Sequence, residues 1–147
     1  MENIGEIIDY NQLGYEQQQL IKTAVQSAQF SYSPYSKFKV GAAIKCEDGT
    51  VFSGCNIENI SFTPGICAER TAIAKAVSEG YKNFKEIAIV ANDPDQFTSP
   101  CGVCRQTIVE FCTDIKIYLS KFNMDQVFVT SIKELLPLSF SPYTAKM

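Results

Sequence analysis

A chain of 147 residues with 46% hydrophobic and 20% charged residues is long enough to bury about 70% of its unfolded surface in one core, and too short for two comfortable domains. Against 16 Asp and Glu stand only 13 Lys and Arg, for a net charge of −3; no basic run exists, which excludes a polynucleotide binder and favours a small, neutral or weakly polar ligand. Met1-Glu2-Asn3-Ile4-Gly5-Glu6 has neither a basic segment nor an apolar core, and the longest apolar run, Ile87 to Ala91, is far short of a membrane span; a cytoplasmic single domain over 1–147 with no membrane partner is expected.

Leu13, Gln17, Leu20, Ala24 and Ala28, with Ile21 and Val25 alongside, recur at helical spacing and predict an amphipathic helix from Tyr15 to Phe30 that covers a sheet. Turn residues follow in Ser31-Tyr32-Ser33-Pro34-Tyr35-Ser36; by pattern alone Tyr35 and Phe38 read as core-edge packing, with a pocket wall as the alternative. Val40 to Cys46 and Val51 to Asn56 flank Glu47-Asp48-Gly49-Thr50, the pattern of an antiparallel hairpin. Asn56 and Glu58 come next, two apart in an extended chain and therefore pointing the same way, able to grip a diol together. Taken alone the cluster reads as a solvated loop.

Cys67 to Glu79 carries Ala68, Ala72, Ile73, Ala76 and Val77 on a helical repeat, with Gly80 as the stop signal. Ile87 to Ala91 reads as a buried strand, Cys101 to Phe111 as a helix and Ile115 to Ser120 as another strand, an order that implies right-handed parallel crossovers. Lys121 to Asp125 is too short for such a crossover, so the strand around Val127 to Val129 pairs antiparallel with its predecessor. Ser131-x-x-Glu134 is a capping box for a brief helix ended by Pro137, and the tail from Leu138 is expected to run free.

The chemistry concentrates at two of these helix starts. Cys101 and Cys104 are three apart, so one helical turn places both thiols on one face, and Cys67 can supply a third bond. Such a thiolate set selects zinc, and three protein ligands leave a fourth position open for water. The chain has no histidine; only Cys46, Cys55 or Cys112 can close the site, and these read as reduced small core residues. A disulfide scaffold and a redox Cys-x-x-Cys pair are the weaker readings of the six cysteines. Glu69, two residues from Cys67, is the candidate proton shuttle, with a first-turn acid favoured by the helix dipole as the alternative. Three thiolates on Zn²⁺ leave a net charge of −1, so positive charge must compensate: two helix N-termini and Arg70, for which a surface ion pair is the bland reading.

Cys67-Ala68-Glu69 followed by Pro100-Cys101-x-x-Cys104 resembles the signature of the zinc-dependent base deaminases. With Ser33-Pro34-Tyr35-Ser36-x-Phe38-x-Val40-Gly41-Ala42-Ala43, Gly54-Cys55-Asn56-Ile57-Glu58-Asn59 and Leu135-Leu136-Pro137-x-x-Phe140, the chain looks like a short-form cytidine deaminase from about Gln17 to Phe140. The resemblance implies a three-layer α/β fold with a mixed five-stranded sheet, helices on both faces and the last strand antiparallel. It implies hydrolytic deamination of cytidine and deoxycytidine in pyrimidine salvage, one Zn²⁺ per subunit on Cys67, Cys101 and Cys104, Glu69 as catalytic residue and Arg70 tuning the charge of the zinc site. Asn56 and Glu58 are expected on the ribose hydroxyls, Phe38 against the nucleoside and the Ala68 backbone on the base. A homotetramer is implied, with Phe140 entering a neighbour's site and the face Ala68-Ala72-Ala76 buried between subunits. Phe62 and Pro64 depart from the family's usual tyrosine and leucine. Two other activities stay open: a deaminase of a nucleoside antibiotic or nucleotide, and a non-catalytic zinc-stabilised binding module.

Overall fold

In the computed structural model, residues 3–145 are described; Met1, Glu2, Lys146 and Met147, part of the domain expected over 1–147, lie outside them. Strands β1 (Glu6–Asp9), β2 (Val40–Cys46), β3 (Val51–Cys55), β4 (Phe84–Ala91), β5 (Lys116–Lys121) and β6 (Gln126–Ser131) form one mixed sheet in the order β1-β6-β5-β4-β2-β3. Helices are α1 (Tyr15–Ala28), α2 (Ala68–Ser78), α3 (Gly102–Phe111) and α4 (Ile132–Leu135). The predicted helices and inner strands are all present, and their ends move by at most three residues.

β2 and β3 form the expected hairpin, which turns through Gly49 at φ 92°, a left-handed conformation that favours glycine. β4 and β5 are parallel and joined through α3, while β5 and β6 are antiparallel, as the short Lys121–Asp125 link requires. The sheet has six strands rather than the expected five. β1 pairs antiparallel with β6, from Glu6 opposite Val129 to Asp9 opposite Gln126. Four residues are too few to declare a period; the open hydrogen-bonding edge of β6 makes this segment a strand.

Successive residues of the inner strands face opposite layers. Ala43, Ala88, Val90, Tyr118 and Val127 meet Leu20, Ile21, Ala24 and Ala28 of α1. Ala42, Ile44, Ile87, Ile89, Ile117 and Leu119 meet the helices of the other face, including Ala68, Ala72 and Ile73 of α2 and Ile108 and Val109 of α3. Helices therefore cover both faces, which is why the central strands read as unbroken apolar runs.

Two expectations are corrected here. Ala68, Ala72 and Ala76 are not an exposed face for a neighbour; all three are fully buried against this chain's own sheet. A Cβ on Gly54 of β3 would stand 2.5 Å from Ala72 N and 2.8 Å from Ala68 O, so the small residues let α2 lie directly on the sheet. The tail is not free either: Gln106 Nε2 donates to Phe140 O at 2.9 Å, and Ser141 is buried. Ser131 caps α4 as expected, its Oγ accepting from Glu134 N at 3.4 Å, although the Glu134 carboxylate turns to the Ser131 hydroxyl at 2.8 Å. Among the described residues no helix is long and apolar enough to cross a membrane.

Candidate metal centre and active site

β3 and β4 both run antiparallel to β2, which lies between them, so their carboxyl ends lie at the same edge of the sheet. The chain leaves β3 for α2 and β4 for α3 at this edge, which brings two helix N-termini together, the usual place for ligands in α/β sheets. Cys67 and Cys101 occupy the N-cap positions of α2 and α3, with extended backbones and no side-chain cap bond. Where a hydroxyl or carboxamide would ordinarily accept from the first turn, each helix presents a thiol at its positive end.

Cys104, in the first turn of α3, completes the cluster. The three Sγ atoms lie within 4.8 Å of one another, and those of Cys67 and Cys101 are 3.9 Å apart. A tetrahedral ion with Zn–S bonds near ~2.3 Å separates its sulfurs by about 3.8 Å, so spacing and donor type both fit zinc. Cys46, Cys55 and Cys112 are free thiols that do not join this cluster. Arg70 donates from Nη2 to Cys67 Sγ at 3.6 Å. The hydrogen bond from Cys104, followed in effect by the Arg70 guanidinium, favours the Cys67 thiolate and lowers its pKa. The hydrogen bond to Cys67, with burial, pushes the Cys104 thiol above its ordinary value. Among the described residues Arg70 has no carboxylate partner; its contact is the Cys67 sulfur.

Glu69 is 4% exposed. Burial, reinforced by the neighbouring Cys67 thiolate, pushes its carboxyl up to about 7. A group that holds and releases a proton near neutrality is what acid–base work at one site requires, and a surface first-turn acid would not be desolvated in this way.

Glu69 and Cys67 face a cavity of about 570 Å³. Phe38, Asn56, Glu58 and Ala68 line it with them, and so do Tyr35, Phe62 and Ser99. Tyr35 and Phe38 are therefore pocket walls, not core-edge packing. Asn56 and Glu58 share the cavity as their spacing predicted, yet both also hold the loop above it. Asn56 Nδ2 donates to Phe38 O at 2.7 Å and Oδ1 accepts from Val40 N at 2.9 Å. Glu58 Oε1 accepts from the backbone N–H groups of Tyr35 and Ser36, each at 3.1 Å, and the Ser36 hydroxyl donates to Oε2. These bonds, that of the Ser36 hydroxyl first, keep Glu58 below the usual carboxylate range and so ionised. Phe140 is not brought into this cavity; its side chain is 75% exposed.

Sequence reasoning missed Asn92, whose carboxamide grips the Lys37 and Lys39 backbone. Its one signal was a polar residue directly after an unbroken apolar strand.

The family model for the cytidine and deoxycytidylate deaminase zinc-binding region matches residues 15–120. The chain belongs to the cytidine and deoxycytidylate deaminase family. It is 47% identical over 125 residues to a cytidine deaminase of Sporosarcina psychrophila, covering 84% of this chain and 90% of that one. A crystal structure of cytidine deaminase from Burkholderia pseudomallei superposes with a TM-score of 0.80 at 40% identity, over 87% of this chain and all of the other. A blasticidin-S deaminase of Bacillus cereus is 32% identical over 130 residues, covering 84% of this chain and 91% of its own length.

Proposed function

We propose that this protein hydrolyses cytidine and deoxycytidine to uridine and deoxyuridine with release of ammonia, in pyrimidine salvage in the cytoplasm. The observation that carries the reading is a buried carboxyl, Glu69, beside a three-thiol metal cluster at a cavity large enough for a nucleoside. Cys67, Cys101 and Cys104 would hold zinc, which when bound would supply Lewis acidity to activate water for attack at ring C4.

The remaining steps belong to side chains. Glu69 takes a proton from the attacking water and delivers it to ring N3, then carries the proton of the new C4 hydroxyl to the amine as the C4–N4 bond breaks and ammonia leaves. Its burial keeps bulk water from competing for that proton. Arg70 and the positive ends of α2 and α3 offset the charge of the thiolates. Phe38 packs on the nucleoside, the Ala68 backbone meets the base, and Asn56 and Glu58 take the sugar hydroxyls. The ionised Glu58 repels a phosphate placed close to it, which favours nucleoside over nucleotide. Only three cysteines converge among the described residues, which supports an open catalytic site over a closed structural one.

The protein acts as a homotetramer in which Phe140 of one subunit reaches the site of another. Its exposed ring on a tethered backbone, together with the exposed Phe62 and Leu138, supports this assembly. The Bacillus cereus relative makes a nucleoside antibiotic the second reading. Ultraviolet-monitored turnover on cytidine, deoxycytidine, cytidine monophosphate, blasticidin S, adenosine and a cytosine-bearing oligonucleotide decides. Turnover confined to the two nucleosides is expected; zinc-loaded protein inert on both would overturn the proposal.

A further inference from the structure

The antiparallel ladder between β2 and β4 ends at Val40 opposite Ala91, and one step beyond it Asn92 N–H donates to Lys39 O at 3.1 Å. There the backbones part, β4 heading for the metal loop and Tyr35, Ser36 and Phe38 forming a wall of the cavity. The Asn92 side chain carries the ladder on: Nδ2 donates to Lys37 O at 3.0 Å and Oδ1 accepts from Lys39 N at 3.1 Å. One carboxamide thus grips the backbone on both sides of Phe38. Asn56 grips Phe38 O and Val40 N, and Phe38 N–H donates to Ser36 Oγ at 3.0 Å. Every backbone donor and acceptor from Lys37 O to Val40 N is occupied.

Lys37 stands at φ 61°, in the left-handed region that is strained for a residue with a Cβ. Lysine has no intrinsic preference for this conformation; a local bond from Lys37 N–H to Ser33 O at 3.0 Å closes the turn before it, and Asn92 holds its carbonyl and the residue after Phe38. Only a carboxamide presents a donor and an acceptor in one plane, spaced like a peptide group. A carboxylate at position 92 would accept from Lys39 N but could not donate to Lys37 O.

We propose that Asn92 is a positioning residue: by clasping Lys37 and Lys39 it holds the left-handed turn that aims the Phe38 ring into the cavity. The inference rests on the reading that Phe38 packs against the nucleoside. It is tested with Asn92→Ala, Asn92→Asp, Phe38→Ala, the double variant Phe38→Ala/Asn92→Ala, and Asn92→Ala/Lys37→Gly, each assayed for zinc per chain and for KM and kcat on cytidine. Phe38→Ala is expected to raise KM, and Asn92→Ala to raise it about three- to tenfold, the scale of a misplaced aromatic contact, with zinc intact and kcat within about twofold. Asn92→Asp, keeping half the clasp, should fall between and serves if the alanine variant fails to fold. On the Phe38→Ala background the Asn92 substitution should add almost nothing. Glycine at position 37, free to adopt the left-handed turn, should recover part of the loss. A wild-type KM in Asn92→Ala, or the same increase with and without the Phe38 ring, would overturn the inference and leave Asn92 as a loop brace. A wild-type KM in Phe38→Ala would remove the Phe38 reading, and with it this inference.

Discussion

The Sγ atoms of Cys67 and Cys101, 34 residues apart in the chain, lie 3.9 Å from one another. Each cysteine stands at the N-cap of a helix, and each helix leaves the same edge of the sheet, so the metal site is built from two peptide dipoles as much as from three sulfurs.

Removing any one ligand should therefore empty the site. Alanine at Cys67, Cys101 or Cys104 is expected to lower zinc from about one per chain toward zero and to abolish turnover. Alanine at Cys46, Cys55 or Cys112, outside the cluster, should leave metal and activity in place. Metal analysis beside the turnover assay checks this, and a fully active Cys101→Ala protein would refute the assignment.

Glu69→Gln keeps the shape of the buried side chain and removes its ability to carry a proton. Zinc content should be unchanged while kcat falls by on the order of 10²–10⁴. Near-normal turnover with zinc verified would reduce Glu69 to a helix-start acid.

Gly54→Ala should couple stability to the site. The added Cβ meets backbone atoms of α2 at 2.5 and 2.8 Å, which cannot yield as a flexible side chain would. The helix must move, at a cost of about 1–3 kcal/mol, and Cys67 and Glu69 move with it. Lower thermal stability accompanied by weaker zinc retention is expected; unchanged values in both would show that α2 tolerates displacement.

Tyr118 gives a pH dependence far from the metal. Its Oη donates to Glu86 Oε1 at 3.2 Å, and burial, with the Glu86 carboxylate, raises its pKa above the ordinary tyrosine value. Below about pH 10 the phenol is protonated in both folded and unfolded chains and the contribution is complete. Above about pH 10 the unfolded chain loses this proton first, so stability falls as pH rises, by up to about 1.4 kcal/mol per pH unit from this group. Tyr118→Phe loses the hydrogen bond at every pH but not a proton, so its stability should decline less steeply than wild type between about pH 9.5 and 11. Parallel curves from denaturant titrations would count against it.

Phe140 is exposed while its carbonyl is tied to α3 through Gln106, an arrangement that displays an aromatic ring at little entropic cost. Phe140→Ala should raise KM by about two- to tenfold without loss of zinc. Reassembling Glu69→Gln with Phe140→Ala subunits should restore wild-type KM at some sites, because a hybrid pairs an intact shuttle with an intact neighbouring ring. Scattering that showed a fully active monomer would exclude the shared site.

Local spacing determined what lies within one turn or one strand. A spacing of three brings Cys101, at the N-cap, and Cys104, in the first turn of α3, to one end of that helix, and Asn56 and Glu58, two apart just past β3, line one cavity. Apolar runs were enough to locate β2, β4 and β5, which are buried on both faces. Tertiary structure decided which distant pieces meet. Cys67 joins Cys101 only because β2 separates β3 from β4 and sends α2 and α3 off the same edge. β1 is a strand because β6 had an unpaired edge; Ala68, Ala72 and Ala76 are buried because Gly54 lets their helix approach. The Asn92 clasp joins partners more than fifty residues apart, a separation at which the chain's own geometry constrains nothing and only the packed sheet brings donor to acceptor.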